Sequence, residues 1–322
     1  MNKKIYVSLI FTFLFFILSC TERPRYSTHT YLVMGTLLNV TLPEDYNTYA
    51  DSVFKIFALV DTLMNPLNPN SDVYRLNHSS GKGVKVHKWT ADCIRKAVEI
   101  AELTRGAFDP TVGGIVHLWH FDEQGKYVFP DPDSVKKYIH LVDYRKIKIK
   151  GDTVWLGEGQ SITLAGIAKG YAVDLAVFFL KEHGVRSGII DAGGDLFLLG
   201  DKNGKSWNVG VRDPVTKGVR EVISVKDRSV CTSGSYERFV EYKGKKYSHI
   251  FDPRTGYPVS NGVLSVTVIY NKATYADALA TALFVLGPKR AMEIVENIKG
   301  LDAYIITEKE IFKSSGINRY VK

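Results

Sequence analysis

The order of apolar and polar residues predicts two amphipathic helices in the first part of the chain. Apolar residues recur at helical spacing in DSVFKIFALVDTLMN and again in TADCIRKAVEIAELTRG. Thr90 is the predicted N-cap of the second helix, and Gly106 is predicted to end it. Before both helices, TYLVMGTLLNVTLP predicts a strand or hairpin that is broken at Gly35.

From about Lys146 onward, short apolar strands alternate with helices. AKGYAVDLAVFFLKEHG predicts a helix closed by Gly184, and TYADALATALFVLG predicts another that ends at Gly287. Strands are predicted in SGIIDAGGDLFLLG, SWNVGV, REVISV, RFVEYKGKKYSHIF and VLSVTVIY. The pattern indicates an α+β fold, with mixed or antiparallel sheets and helices packed on them.

The N-terminus predicts export. Lys3 and Lys4 precede Ile5–Leu18, which are 14 residues without a charge, the length of a signal-peptide core rather than of a membrane span. The run ends in ILSC, which resembles the lipobox of bacterial lipoproteins, in which the cysteine carries the lipid. We therefore expect a lipoprotein signal peptide over residues 1–19, lipidation at Cys20, a tether linker over 20–30 and one domain over 31–322. An ordinary signal peptide with a chance cysteine is the alternative.

Composition narrows the class of protein. With 45% hydrophobic and 24% charged residues, the chain is expected to bury a globular core. The net charge is +8, but the basic residues are scattered, and the denser KIKIK and KGKK stretches suit strand edges and hairpin turns. Nucleic-acid binding is therefore not predicted. Cys93 and Cys231 form no metal motif, and Cys93 is expected to be a buried apolar residue.

Two glycine-containing motifs each allow a functional and a purely structural interpretation. In LAGIAKGYAVD, glycines precede a helix, so backbone N–H groups could hold a phosphate, or Gly166 and Gly170 could only allow close packing. In AFDPTVGG, Asp109 could accept hydrogen bonds from a ligand or could start a turn. Neither a Walker pattern nor a G-x-S-x-G elbow is present, so a P-loop enzyme and an α/β-hydrolase are not supported.

Two further motifs place polar side chains together. SHIFDPRTGYP brings His249, Asp252 and Arg254 to a strand end, where they could supply a base, an orienting group and an anion clamp, or only a surface ion pair. TYADALAT places Asp277 and Thr281 four residues apart on one helix face. These two oxygens suit Mg²⁺ when a phosphate supplies further ligands, whereas capping of the same helix is the alternative.

Taken together, the motifs resemble one family. MGT, GAFDPTVG, LAGIAKGYAVD, AGGD, TSGSYER, HIFDPRTGYP and ADALATAL follow one another in this order from about Thr30 to the C-terminus. This series resembles the ApbE family of flavin transferases, the FAD:protein FMN transferases. The resemblance implies an ApbE-like α+β architecture related to the T-fold.

The resemblance also implies a site. Matched positions place Met34, Ala107, Phe108, Asp109 and Lys169 at the FAD. Thr163 and Ile250, beside or within matched motifs, are assigned to the same site, and Thr163 stands where the family usually has aspartate. The carbonyl of Gly166 with Asp277 and Thr281 is expected to hold Mg²⁺. His249 is expected near the reacting phosphate, with His249 or Asp252 as the base.

The implied reaction is Mg²⁺-dependent transfer of FMN from FAD to a Ser or Thr hydroxyl of a target flavoprotein, with release of AMP. The expected target is a subunit of a membrane redox complex, of the sodium-pumping NADH:quinone reductase or Rnf type. The expected location is the bacterial cell envelope, facing the periplasm through a lipid anchor. An exported Mg²⁺-dependent FAD pyrophosphatase and a non-enzymatic flavin-binding lipoprotein are the alternatives.

Overall fold

The computed structural model describes residues 24–121, 128–236, 239–242 and 244–322. The predicted signal peptide and Cys20 lie outside these residues. Among the helices in the described ranges, none has the length and apolar character that crossing a bilayer requires.

The helices of the described chain occur on both sides of a strand-rich middle. They are α1 (Tyr49–Met64), α2 (Asp72–Asn77), α3 (Lys88–Leu103), α4 (Gly113–Leu118), α5 (Pro132–Ile139), α6 (Ala168–Glu182), α7 (Ala273–Leu286) and α8 (Pro288–Asn297).

The strands in the same ranges are mostly short. They are β1 (Tyr26–Val33), β2 (Thr36–Pro43), β3 (Val84–Lys85), β4 (Lys148–Lys150), β5 (Thr153–Trp155), β6 (Gly188–Ala192), β7 (Asp195–Leu199), β8 (Trp207–Arg212), β9 (Val219–Val225), β10 (Arg228–Gly234), β11 (Phe239–Tyr242), β12 (Lys245–Ser248), β13 (Phe251–Asp252), β14 (Tyr257–Pro258), β15 (Val263–Tyr270), β16 (Asp302–Thr307) and β17 (Ile311–Lys313).

One antiparallel sheet organises the molecule, in the order β1-β2-β6-β7-β10-β15-β16-β17. Helices α1, α6, α7 and α8 pack on one face of this sheet. Phe197 of β7, Cys231 of β10 and Val268 of β15 point into the core beneath them. The sheet and its packed helices agree with the predicted α+β class.

The opposite face of the central strands is also buried. Leu198, Val230 and Ile269, which neighbour the residues of the helix face along the chain, pack in a second cluster with Trp207 and Ile223 of the β8–β9 hairpin. Successive side chains of a strand point to opposite faces, so both sets must be apolar. This explains why β15 is a nearly continuous apolar run rather than an alternating one.

Several boundaries differ from those that the sequence predicts. β1 begins at Tyr26, which pairs with Pro43 of β2. Residues 26–30 of the predicted linker over 20–30 therefore belong to a strand of the sheet. The N-cap of α3 is His87, whose Nδ1 accepts a hydrogen bond from Trp89 N at 3.2 Å, and not Thr90. Thr90 instead donates from Oγ1 to Asp72 Oδ2 at 2.6 Å, so its hydroxyl ties α3 to α2.

The two thiols and the β1–β2 turn can also be compared with the sequence predictions. Cys93 and Cys231 are both free and buried, as expected for Cys93. The hairpin broken at Gly35 is present, because Met34 and Gly35 form the turn between β1 and β2.

Candidate active site

Two tight turns meet at one end of the large sheet. Met34 (φ 51°) and Gly35 (φ 70°) join β1 to β2 in the left-handed conformation that a two-residue hairpin turn requires. Gly193 and Gly194 join β6 to β7, and β2 pairs with β6, so the turns are neighbours. A Cβ on Gly193 would lie 2.0 Å from Thr36 Oγ1, so only glycine allows this approach. The MGT and AGGD motifs therefore form one surface.

A buried ion pair lies directly behind these turns. Asp195 opens β7, and its side chain is only 3% exposed. Its Oδ2 pairs with Nζ of Lys169, the second residue of α6. The Lys169 side chain is thereby held at the end of the sheet with its charge balanced. Asp195 was not among the predicted site residues, although a carboxylate inside the apolar run DAGGDLFLL is a signal for it.

The two glycines of LAGIAKG lie against the other predicted site residues. A Cβ on Gly166 would lie 3.3 Å from Phe108 Cε2 and 3.4 Å from Thr281 Oγ1. A Cβ on Gly170 would lie 2.3 Å from the carbonyl oxygen of Ala273, at the start of α7. Both glycines therefore permit close packing, and the backbone before α6 lies beside the Thr281 hydroxyl.

Oxygen ligands gather where α6 and α7 cross. Asp277 is 5% exposed, and its Oδ2 accepts a hydrogen bond from Gly170 N at 3.0 Å. Thr281 Oγ1 lies 3.2 Å from Ser233 Oγ, which projects from β10 within the TSGSYER motif. Ser233 is a site neighbour that sequence reasoning did not single out. The side chain of Asp277 thus bonds to the first turn of another helix, α6.

The AFDPTVGG loop is fixed by its own carboxylate. Asp109 Oδ1 accepts from Thr111 N at 2.8 Å and from Thr111 Oγ1 at 2.6 Å, and Oδ2 accepts from Tyr144 N at 3.1 Å. Burial raises the pKa of Asp109, while these three hydrogen bonds act in the opposite direction. Asp109 thus shapes the loop that places the buried side chains of Ala107 and Phe108.

Thr163 links this loop to the LAGIAKG turn. Its backbone N donates to Pro110 O at 2.8 Å, and its Oγ1 accepts from Ala165 N at 3.3 Å. The loop and the turn are therefore held side by side, and the Phe108 ring lies where a side chain on Gly166 would meet it.

His249 and Asp252 lie in the chain that follows the β11–β12 hairpin. His249 is half-buried, and its successor Ile250 is fixed on both sides: Ile250 N donates to Ser248 Oγ at 3.0 Å, and Ile250 O accepts from Val259 N at 2.8 Å. Ile250 packs in the same apolar cluster as Phe108. This framework sets the backbone of His249.

The carboxylate of Asp252 is occupied by its neighbour. Arg254 donates from Nε to Oδ1 and from a terminal nitrogen to Oδ2, each at 2.7 Å, and its backbone N donates to Oδ1 at 2.9 Å. These bonds raise the pKa of Arg254. The predicted ion pair of this turn is present, and it uses both oxygens of Asp252.

The residues predicted to hold a metal include only one carboxylate, that of Asp277. Among the residues that the structure describes, no group of three or more His, Cys, Asp and Glu side chains is arranged to bind an ion. Asp277, Thr281 and the carbonyl of Gly166 supply oxygen only, which is the ligand type of a hard divalent cation. A cation held there would complete its coordination with oxygens from water or from a bound ligand.

A separate cleft of about 700 Å³ lies at the opposite end of the sheet. It is lined by residues that precede β6 and β10 and follow α6, among them Arg186, Lys226 and Gly184. None of the predicted site residues contributes to it. Lys169 and Asp195 instead lie at the end with the Met34 and Gly193 turns, and Asp277 and Thr281 lie at the α6–α7 crossing.

An antiparallel sheet with two crossed helices over it, and oxygen-bearing side chains at the crossing, defines a protein of the α+β class. A family model described as the ApbE family matches residues 34–305. This chain therefore belongs to the ApbE family.

Relatives cover almost the whole chain. An FAD:protein FMN transferase of Treponema pallidum is 35% identical over 93% of this chain and 90% of its own. One of Vibrio cholerae is 30% identical over 87% of each.

Solved structures share the fold. The crystal structure of the ApbE protein from Thermotoga maritima has a TM-score of 0.87 at 32% identity, and covers 92% of this chain and 100% of that chain. The flavin transferase ApbE from Vibrio cholerae has a TM-score of 0.83 at 28% identity, covering 92% and 99%. These matches confirm the fold class and the family that the ordered motifs predict.

Proposed function

We propose that this protein transfers FMN from FAD to a Ser or Thr hydroxyl of a target flavoprotein in a Mg²⁺-dependent reaction that releases AMP. The observation that carries the proposal is the α6–α7 crossing, where the Gly166 backbone, Asp277 and Thr281 meet beside Phe108. The relatives named FAD:protein FMN transferase support FAD as the donor and a protein as the acceptor.

The oxygen set fits Mg²⁺, because a carboxylate, a hydroxyl and a carbonyl are hard ligands and a pyrophosphate can complete the coordination. Mg²⁺ bound by Gly166, Asp277 and Thr281 would neutralise charge that develops on the phosphates. Asp277 is held ready for this role by its bond from Gly170 N.

FAD is proposed to lie across the end of the sheet. Met34 is partly exposed and offers apolar surface, and it packs on the cluster that contains the buried Ala107, Phe108 and Ile250. Thr163 lies on the turn that is held against the Phe108 loop. Lys169 supplies a positive charge that Asp195 fixes in place. Asp109 contributes by holding its loop, since both of its oxygens accept hydrogen bonds from the protein.

The transfer step is a displacement at phosphorus. The acceptor hydroxyl oxygen forms a bond to the phosphorus of the FMN half, and the bond from that phosphorus to the bridging oxygen breaks. AMP leaves with the bridging oxygen, and the hydroxyl proton passes to the base. A positioned base contributes roughly 10²–10⁴-fold to such a rate.

His249 is favoured over Asp252 as that base. Both carboxylate oxygens of Asp252 accept hydrogen bonds from Arg254, so Asp252 is better placed to hold the turn. His249 is half-buried on a backbone that Ser248 and Val259 fix through Ile250. The pyrophosphatase alternative uses the same residues with water as acceptor, and yields free FMN and AMP.

The test is an assay of the protein with FAD, Mg²⁺ and the flavoprotein subunit encoded nearest to its gene. Flavin fluorescence that stays on the denatured subunit, with one AMP released per flavin attached, is the expected result. AMP and free FMN without attached flavin would support the pyrophosphatase. FAD that stays bound without turnover would support the non-enzymatic alternative.

Two variants test the residue roles. Asp277→Ala should abolish transfer, and His249→Ala should slow transfer by at least about 100-fold while FAD affinity stays within a few-fold. His183→Ala is the matched histidine control, since His183 lies at the C-terminal end of α6. Full activity of Asp277→Ala would overturn the proposed metal site. A large loss of FAD affinity in His249→Ala would make His249 a binding residue and Asp252 the favoured base.

We also propose that the protein is lipid-anchored at Cys20 in the cell envelope and serves a membrane redox complex. The basis is the N-terminal sequence, an uncharged run that ends in ILSC. Cys20→Ala should move the protein from the membrane fraction to the soluble periplasmic fraction. Unchanged fractionation would contradict the lipid anchor.

A further inference from the structure

Helices α6 and α7 cap each other. Asp277 of α7 accepts from Gly170 N, a free donor in the first turn of α6, at 3.0 Å. Asp174 of α6 accepts from two free donors in the first turn of α7, Ala273 N and Thr274 N, each at 3.0 Å. The two carboxylates therefore exchange caps across the crossing, and neither helix is capped by the side chain that precedes it.

The cap that Asp174 provides for α7 has more hydrogen bonds than the cap that Asp277 provides for α6. In addition to the two backbone donors, Thr274 Oγ1 donates to Asp174 Oδ2 at 2.6 Å. Three hydrogen bonds to one carboxylate fix the start of α7 both along and around its axis. A charge at a helix N-terminus also interacts favourably with the helix dipole. The helices are pressed together at this point, because Gly170 has no side chain.

The geometry of the proposed metal site depends on this crossing. Gly166 belongs to the turn before α6, whereas Asp277 and Thr281 belong to α7. Asp277 lies one helical turn beyond Ala273, and Thr281 lies one further turn along. A small shift of the α7 start against α6 therefore changes the distances between the Gly166 carbonyl and both α7 oxygens.

We propose that Asp174 is a positioning residue for the metal site: by capping α7 from α6, it sets Asp277 and Thr281 against the backbone of Gly166. This inference rests on the proposed function. Asp174 itself touches no reacting group. Its removal is expected to weaken Mg²⁺ binding, since partners that orient metal ligands typically contribute 10–100-fold to metal affinity.

The experiment compares Asp174→Asn and Asp174→Ala with the wild-type protein. For each, the Mg²⁺ concentration that gives half-maximal FAD turnover is measured, together with the rise in melting temperature that Mg²⁺ causes in the presence of FAD. Asp174→Ala should raise the half-saturating Mg²⁺ by about 10-fold or more, with a smaller change in the rate at saturating Mg²⁺. Asp174→Asn, which keeps the shape and one acceptor oxygen, should give an intermediate shift.

Asp131→Ala is the matched control. Asp131 caps α5 with the same kinds of donor, namely Asp133 N at 3.0 Å, Ser134 N at 2.9 Å and Ser134 Oγ at 2.5 Å. Its loss should lower the melting temperature and leave the half-saturating Mg²⁺ unchanged.

The outcomes separate the two proposals. A wild-type protein without Mg²⁺-dependent turnover or Mg²⁺-dependent stabilisation would overturn the proposed metal site itself. A wild-type protein that shows both, with an unchanged half-saturating Mg²⁺ in Asp174→Asn and Asp174→Ala, would overturn the role of Asp174 alone. If Asp174→Ala does not fold, the Asp174→Asn comparison decides.

Discussion

Gly170→Ala gives the sharpest test of the packing at the α6–α7 crossing. In an ordinary helix interior, replacing glycine by alanine stabilises by roughly 1 kcal/mol, because alanine loses less conformational freedom on folding. Here the new Cβ would lie 2.3 Å from Ala273 O, 2.7 Å from its carbonyl carbon and 2.8 Å from Asp277 Cβ. Two of these three atoms belong to the backbone, so no rotamer change relieves the overlap.

The magnitude follows from the distance that must be recovered. Ordinary contact begins at 3.4 Å and the added Cβ would lie 2.3 Å from Ala273 O, so α7 must withdraw by about 1 Å. Overpacking of this kind costs roughly 1–3 kcal/mol, and the overlap with backbone atoms places Gly170→Ala in the upper half of that range. Subtracting the roughly 1 kcal/mol gain in helix propensity leaves a net loss of about 1–2 kcal/mol. At roughly 2.1 cal/mol/K of unfolding entropy per residue, a net loss of about 1–2 kcal/mol lowers the melting temperature of a domain of this size by roughly 2–3 °C.

The assay is urea and thermal denaturation of Gly170→Ala, with FAD turnover measured at 25 °C. Turnover should fall more than the stability loss explains, because the shift also draws Asp277 away from Gly170 N. Gly218→Ala is the control, since the new Cβ there meets only Thr216 Oγ1 at an ordinary 3.6 Å. A Gly170→Ala protein that is as stable as the wild type or more so would refute the reasoning.

Three further predictions concern the buried ionisable groups. Lys169→Met should lower the free energy of unfolding, measured by urea denaturation, by roughly 1–3 kcal/mol, because it leaves the buried Asp195 carboxylate without its cation. Adding Asp195→Asn to the same chain should restore part of the lost stability, and absence of this rescue would contradict the ion pair. Burial raises the pKa of Asp109, so its carboxyl group contributes stability below about pH 4 that is lost as the pH rises. The free energy of unfolding of the wild type, relative to that of Asp109→Asn, should therefore fall from about pH 4 to pH 7. A rise over this range would contradict the sign of the pKa shift. Burial also raises the pKa of the Cys93 and Cys231 thiols, so a thiol reagent at about pH 8 should label them only as fast as the protein unfolds, and faster labelling of the native protein would contradict their burial.

Much of the fold follows from local pattern. The spacing of apolar residues indicates α1, α3, α6 and α7, and the glycines at positions 106, 184 and 287 mark helix ends. These features are local, since a helix face and a helix end are each encoded within a few turns of chain. The N-cap of α3 is an exception, because His87 and Thr90 are both able to accept a hydrogen bond from a first-turn donor.

The candidate site was only partly readable from the sequence. The ordered motifs supplied Asp277, Thr281 and Lys169, but Asp195 and Asp174 were not distinguished as partners. Their partners lie far along the chain: Asp195 bonds to Lys169, and Asp174 bonds to Ala273 and Thr274. A spacing rule within one helix could not reveal contacts between two helices.

The sequence alone therefore determined the long helices, the central strands and the family, and it supplied most of the residues proposed for the site, because periodicity and motif order are properties of the chain itself. The tertiary structure decided which groups those residues meet. In LAGIAKGYAVD, it decided that Gly170 faces the backbone of α7 without room for a side chain, and that Asp174 at the end of the motif caps the other helix. The physical reason is that close packing and hydrogen bonding between distant segments depend on how the helices are docked on the sheet, and no local pattern specifies that docking.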